Sequence, residues 1–154
     1  MILDASAFYA GVPFGSPSTY HTTPEVYEEI EHIKRAQRAA DALQEMGRLV
    51  VLSPQDDHVR RARAAALSSG DLPQLSIPDV SVLALASQTG MDIITDDYAV
   101  SNAAHYMGIR SHAVMTSGPT VRGRWLYRCP ACRKGRPPGD ACDICGTPLR
   151  RRLR

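Results

Sequence analysis

Short apolar runs of strand length alternate along the first three quarters of the chain with longer stretches whose apolar residues recur at helical spacing. Met1-Ile2-Leu3, Leu49-Val50-Val51-Leu52 and Ile93-Ile94-Thr95 read as buried strands bounded by polar or turn-forming residues. Thr23-Pro24 predicts a helix start, with the hydroxyl as N-cap and proline at the first helical position, and the helix is expected to run to about residue 46. Ser53-Pro54 repeats the device before a helix reaching about Leu67. Ser76-Ile77-Pro78-Asp79 opens another that ends at Gly90, with Asp79 three residues after its cap in the manner of a capping box. Residues 11–21, dense in glycine and proline, are expected to be loop. A helix up to Gly108 and a short strand near residues 112–115 complete the series. This alternation predicts an α/β fold, a parallel sheet flanked by helices.

In such a sheet the ligand site lies beyond the carboxyl ends of the strands. Asp4 and the Asp96-Asp97 pair follow two of the apolar runs, and Asp79 reaches the same edge if its helix begins there. Of the acids on the first helix, Glu29 lies about 60° from the centre of the apolar stripe formed by Val26, Ile30, Ile33 and Ala40, whereas Glu25, Glu28 and Glu31 lie about 100° or more away. Glu29 is therefore the inward one. Carboxylates gathered in one cleft repel one another unless cations neutralise them. Hard oxygen ligands favour Mg²⁺ or Mn²⁺ over zinc, and such ions suit phosphodiester hydrolysis because they activate water and screen phosphate charge. Only one of Asp96 and Asp97 is expected to face the cleft, the other serving the turn. Ser6, Thr95 and Asn102 are candidates for orienting the carboxylates or a water, with local hydrogen bonding at turns and caps as their alternative.

The last quarter changes the picture. Cys129, Cys132, Cys142 and Cys145 are all the cysteines of the 154-residue chain, two Cys-x-x-Cys knuckles nine residues apart, a spacing that sets four thiolates around one tetrahedral, structural Zn²⁺. Two disulfides in a secreted protein are the alternative. No signal-peptide pattern opens the chain and no apolar run approaches a membrane span, so a cytoplasmic protein without a membrane partner is expected. The formal charge of +2 hides a division: residues 1–121 hold 8 Lys/Arg against 14 Asp/Glu, while residues 122–154 hold 10 against 2. The basic module suits a polyanion. The expected domains are 1–115 for the α/β unit, 116–123 for a linker and 124–154 for a zinc ribbon with a basic tail that carries Arg150, Arg151, Arg152 and Arg154. The sequence sets no oligomeric state.

Leu3-Asp4-Ala5-Ser6, Val26-Tyr27-Glu28-Glu29-Ile30, Ser76-Ile77-Pro78-Asp79 and Thr95-Asp96-Asp97 together resemble the motifs of PIN-domain ribonucleases. With the aromatic strand Arg124-Trp125-Leu126-Tyr127-Arg128 and the four-cysteine ribbon, the chain resembles the archaeal form of the NOB-type endonucleases, which mature the 3′ end of small-subunit ribosomal RNA. Gly70-Asp71-Leu72-Pro73, Val82-Leu83-Ala84-Leu85 and Asn102 strengthen the likeness. The resemblance implies a Mn²⁺- or Mg²⁺-dependent endoribonuclease acting on precursor 16S rRNA in the pre-small ribosomal subunit. It matches Asp4, Glu29, Asp79 and Asp97 to the family's acidic positions, selecting Asp97 over Asp96. It also implies metal held by Asp4, Asp79 and Asp97, with Glu29 direct or through water, and a ribbon that binds rRNA. Arg128, Arg133, Lys134 and Arg136 are the first candidates for RNA contact. Two other readings are an RNA- or ribosome-binding module with a silent acidic cleft, and a toxin-type PIN ribonuclease, which would lack the ribbon.

Overall fold

The computed structural model describes residues 1–114 and 123–154. Five short strands, β1 (Ile2–Leu3), β2 (Tyr20–Thr22), β3 (Leu49–Val51), β4 (Ile93–Ile94) and β5 (Ser111–His112), form an all-parallel sheet in the order β3-β2-β1-β4-β5. The helices are α1 (Ala5–Tyr9), α2 (Pro24–Glu31), α3 (Lys34–Glu45), α4 (Asp56–Ser69), α5 (Ile77–Thr89) and α6 (Tyr98–Tyr106). The chain steps outward from β1 to β3, then returns to place β4 on the other side of β1. That reversal opens a crevice beyond the carboxyl ends of β1 and β4, where a doubly wound sheet binds its ligands.

The core is built from both faces of the sheet. The middle of helix α5 is buried all round: Val80, Val82, Leu83, Ala84, Leu85 and Ala86 are each at most 4% exposed, while its first turn reaches solvent at Ile77, 73% exposed. Its start is held by the Ser76–Asp79 capping box and its end by Gly90 at φ 71°. Ala62 and Ala66 on the buried face of α4 keep the side chains small where α4 and α5 pack together. No described helix is long and apolar enough to cross a membrane.

Three local expectations fail for tertiary reasons. The single helix expected over residues 24–46 is two, broken at Ile33 (φ −108°, ψ 88°). The Tyr27 hydroxyl donates to Asp41 Oδ1 across the break, although 14 residues of straight helix would separate them by ~21 Å. This bond requires α3 to fold back beside α2. Burial, followed by the Asp41 carboxylate, pushes the Tyr27 pKa up to about 12. Within the expected loop, Tyr20–Thr22 is instead a strand, since Tyr20 and Thr22 turn inward between β1 and β3. Ser53-Pro54 stays outside α4, which begins at Asp56 with Asp56 and Asp57 placed favourably against the helix dipole.

The cysteine-bearing segment has its own antiparallel sheet: β6 (Trp125–Arg128), β7 (Gly135–Arg136) and β8 (Arg150–Leu153), in the order β7-β6-β8. The arginine-rich end is therefore a full strand, not a tail. Of the linker expected over residues 116–123, all but Gly123 lies outside the described residues, as does Met115 of the last expected strand. Side chains alternate across β6, and the face carrying Trp125 and Tyr127 packs on the larger domain. Tyr127 Oη donates to the carbonyl of Gly70 at 2.8 Å, and Trp125 meets Tyr98 edge-on at 6.2 Å between ring centroids. Gly70, left-handed at φ 82°, ends α4 under this strand, where an added Cβ would lie 2.5 Å from the Trp125 carbonyl oxygen. Only glycine fits both the conformation and the approach.

Candidate active site and metal centre

Asp4 leaves β1 at the crevice and is 4% exposed. It is the N-cap of α1: Oδ1 accepts from the Ala5 amide at 2.7 Å, while Oδ2 accepts from Thr95 Oγ1 at 2.6 Å and Ser6 Oγ at 3.0 Å. The two hydroxyls also join the ends of β1 and β4, because Thr95 Oγ1 accepts from the Asp97 amide at 2.9 Å and Ser6 Oγ from the Asp96 amide at 3.1 Å. Sequence places these groups 91 residues apart, and the parallel pairing of Leu3 with Ile94 makes them neighbours.

Asp79 lies close enough to Asp4 to perturb it, and Asp4 and Asp79 both act on Glu29. Burial raises the Asp4 pKa from its ordinary 3.8, the Thr95 bond opposes that rise, and the charge of Asp79 adds to it. Partial desolvation raises the Glu29 pKa from 4.5, reinforced by the charges of Asp4 and then Asp79. Asp4 and Glu29 both feel the charge of Asp79, and Glu29 that of Asp4 as well, so the gathered negative charge suits a cation. Asp79 Oδ2 also accepts from the Ser76 amide at 2.7 Å and from Ser76 Oγ at 2.8 Å, so its rotamer is held by the capping box. Glu29, on the face of α2 next to buried Ile30, is the most exposed of the three. These acids do not close to the 4.8 Å mutual ligand spacing that the cysteines reach among the described residues.

Asp97 is exposed and caps α6, its Oδ1 accepting from the amides of Ala99 at 2.6 Å and Val100 at 3.0 Å. It is tied to Asp4 through Thr95. Asp96 turns the other way, with Oδ1 accepting from the Val114 amide at 2.9 Å. Asn102 does not join the acids. It is fully buried and donates through Nδ2 to Asp71 Oδ2 at 2.6 Å and to the Gly123 carbonyl at 2.9 Å, while Oδ1 accepts from the Gly123 amide. One turn of α6 carries its side chain away from the crevice and into the dock of the ribbon.

In the ribbon the sulfurs of Cys129, Cys132, Cys142 and Cys145 all lie within 4.8 Å of one another, and none is in a disulfide. Cys129 and Cys145 are 3.5 Å apart and Cys132 and Cys142 3.9 Å. The second knuckle turns at Gly146 (φ 68°), and the equivalent position after the first is Arg133 at φ 58°, a left-handed arginine. Arg128 Nε donates to the Arg133 carbonyl at 2.9 Å, and Lys134 and Arg133 are exposed. Arg136 differs from these three. Its Nε and Nη2 point at Cys142 Sγ and Cys132 Sγ, each at 3.2 Å, and Nε also meets Asp143 Oδ1 at 3.2 Å. A guanidinium engaged with thiolates and a carboxylate is a support of the cysteine cage and not a free phosphate contact. The Cys142 pKa is brought down to about 6 by the backbone amides of Ile144 and Cys145 and by Arg136.

A family model described as the PIN domain of ribonuclease matches residues 1–89. Endoribonuclease Nob1 of Pyrococcus abyssi is 31% identical over 153 residues, covering 97% of this chain and 91% of that protein. Endoribonuclease Nob1 of Methanothermobacter thermautotrophicus is 36% identical over 159 residues, covering 98% and 91%. The chain belongs to the Nob1 endoribonucleases. Ribonuclease VapC1 of Thermoplasma acidophilum is 37% identical over 102 residues, which is 66% of this chain and 53% of that protein. The likeness to Nob1 extends along nearly all of the chain, which carries both a PIN domain and a four-cysteine cluster spaced to hold a metal ion.

The surroundings of Asp71, Arg151 and Tyr9 in this Nob1-type chain escaped the sequence. Asp71 is fully buried, with Oδ2 accepting from Ser69 Oγ and Asn102 Nδ2 at 2.6 Å each, and its pKa is raised by burial against those bonds and the charge of Arg151. Arg151 also lies over the Trp125 ring, 4.4 Å from its centroid. Tyr9 stands near the acids, its pKa raised by desolvation and then by Glu29 and Asp4. Its place five residues beyond Asp4, on the helix Asp4 caps, was the available signal.

Proposed function

We infer that this chain is a divalent-metal-dependent endoribonuclease that trims the 3′ end of precursor 16S rRNA in the pre-small ribosomal subunit, in the cytoplasm. The observation that carries the reading is the Asp4 carboxylate, held by Thr95 and Ser6 at a strand end and coupled through its charge to Asp79 and Glu29. Mg²⁺ or Mn²⁺ suits an all-oxygen set whose members stand apart, because Mg²⁺ keeps several waters and needs only one or two carboxylates directly. Asp4, Asp79 and Asp97 would hold the ion, with Glu29 direct or through water. Bound there, it supplies water activation and screening of phosphate charge. Thr95 and Ser6 fix the Asp4 oxygens by donating to Oδ2, leaving that carboxylate no freedom to rotate away. Glu29, with its raised pKa, is the group best suited to accept a proton at the edge of the cluster.

The cysteine cage fits Zn²⁺: a tetrahedron with Zn–S bonds of ~2.3 Å has sulfurs ~3.8 Å apart, close to the 3.5 and 3.9 Å separations here. Four sulfur ligands leave no open position, so this zinc is structural. On the opposite side of β6 from the dock, Arg128, Arg150 and Arg152 are exposed and in register, a basic stripe for the phosphates of rRNA, with Arg133 and Lys134 on the adjacent knuckle.

The deciding experiment is a Mn²⁺ titration with a short RNA spanning the mature 3′ end of 16S rRNA. Wild-type protein is expected to cut at one junction, and Asp4→Asn and Asp79→Asn to lose on the order of 100-fold or more in rate while still binding the RNA. Equal cutting by Asp79→Asn would remove that residue from the set, and cutting at unrelated sites with equal efficiency would refute the rRNA assignment.

A further inference from the structure

An open groove of about 690 Å³ runs between α1 and the junction of α2 with α3, lined by Phe8, Tyr9, Phe14, Ile33, Ala36 and Ala39 together with the Ala10-Gly11 backbone. Its size falls within the ~300–1,000 Å³ of small-molecule pockets. Phe8 forms a buried floor, while Tyr9, Phe14 and Ile33 on the walls are 51%, 41% and 46% exposed. Three large apolar side chains left half in water around one groove call for a ligand. The described lining residues carry no charge, which suits neither a phosphate nor a charged peptide anchor.

Each wall leads back to a carboxylate of the site described above. Asp4 caps α1, and Tyr9 ends that helix ~7.5 Å further along its axis. Glu29 lies on α2, and Ile33 follows it by one turn, the Ile33 amide donating to the Ile30 carbonyl at 3.0 Å. The perturbation of Tyr9 by Glu29 and Asp4 agrees with this continuity. An RNA strand whose phosphate sits at the acids therefore has its neighbouring base beside two exposed aromatic rings. Aromatic side chains hold single-stranded RNA by stacking on unpaired bases, in a manner tolerant of sequence.

We propose that this groove is a nucleobase subsite: it receives one unstacked base of single-stranded RNA from a nucleotide flanking the cut, held on Tyr9 and Phe14. The proposal rests on the endoribonuclease reading of the acidic cluster and adds what holds the strand there. It also gives the acidic domain a means of engaging RNA that charge does not provide.

The test uses the intact protein and single-stranded RNAs spanning the junction, each carrying one 2-aminopurine, with Ca²⁺ replacing Mn²⁺ to suppress cleavage. Quenching is expected at one flanking position with wild type, lost in Tyr9→Ala and Phe14→Ala, and retained in Tyr9→Phe. With Mn²⁺ the KM of Tyr9→Ala should rise by about 5- to 150-fold on intact RNA, and an abasic nucleotide at that position should erase the difference from wild type. Both alanine variants truncate exposed side chains, and unchanged thermal melting verifies their fold. Absence of quenching at every position, or a wild-type KM in the Tyr9→Ala/Phe14→Ala double variant, overturns the proposal and leaves the groove to a protein segment. Quenching without any Mn²⁺-dependent cutting would instead retain the subsite and sink the nuclease reading.

Discussion

Replacing Gly70 by alanine should detach the ribbon strand from the PIN domain without unfolding either. At φ 82° an L-residue costs ~1–2 kcal/mol, and the added Cβ would meet the Trp125 carbonyl oxygen at 2.5 Å and the Trp125 Cβ at 2.8 Å. Both atoms belong to the strand itself or its root, so no rotamer change relieves the contact. As β6 backs away, the Tyr127 bond to the Gly70 carbonyl is lost, a further ~0.5–1.5 kcal/mol. Gly90→Ala is the control, because Gly90 has φ 71° but nothing within 4 Å of its added Cβ. Trp125 is the single tryptophan and sits at the dock, so its fluorescence reports the event directly. Gly70→Ala is expected to shift Trp125 emission to the red and increase its quenching by acrylamide, whereas Gly90→Ala alters neither. The backbone cost alone should lower Tm by about 2–4 °C per kcal/mol in both variants. Wild-type emission and quenching in Gly70→Ala would refute this account of how the two parts are joined.

Arg136→Ala should weaken zinc retention by about 10- to 100-fold in a chelator competition, the usual cost of losing a partner to metal ligands, because its guanidinium faces Cys132 and Cys142 at 3.2 Å. Unchanged retention would return Arg136 to the RNA-contact candidates. Since the Asp4 and Glu29 pKa values are raised in the fold above 3.8 and 4.5, the folded state binds more protons than the unfolded one across that window. Stability of the metal-free protein should therefore fall as pH rises from those values through the folded ones, and Mn²⁺ affinity should rise over the same interval. Glu29→Gln should flatten the stability slope measured by calorimetry, and an unchanged slope would count against the coupling. Arg128→Ala, Arg150→Ala and Arg152→Ala should each weaken RNA binding across sequences and reduce the salt-dependence slope by about 1, readable by anisotropy at several salt concentrations.

Local chemistry in the sequence was enough to determine the short apolar strands, the Thr23-Pro24 and Ser76–Asp79 helix starts and the cysteine knuckles, because each depends on residues near one another in the chain. The rule that parallel sheets bind at their carboxyl edge pointed to Asp4 and Asp79, and the apolar stripe of the first helix pointed to Glu29, whose pKa the charges of Asp4 and Asp79 raise in the fold. Tertiary structure decided what depends on distant partners. The helix over residues 24–46 is broken at Ile33, with Tyr27 reaching Asp41 across the break, and Tyr20–Thr22 becomes a strand because β1 and β3 flank it. Asn102 belongs to the ribbon dock and Arg136 to the cysteine cage, since hydrogen-bond partners 21 and 31 residues away, or the turn of a knuckle, direct them there. A polar side chain's residue type sets what it can bond, and only the packed chain sets which partner excludes water from it.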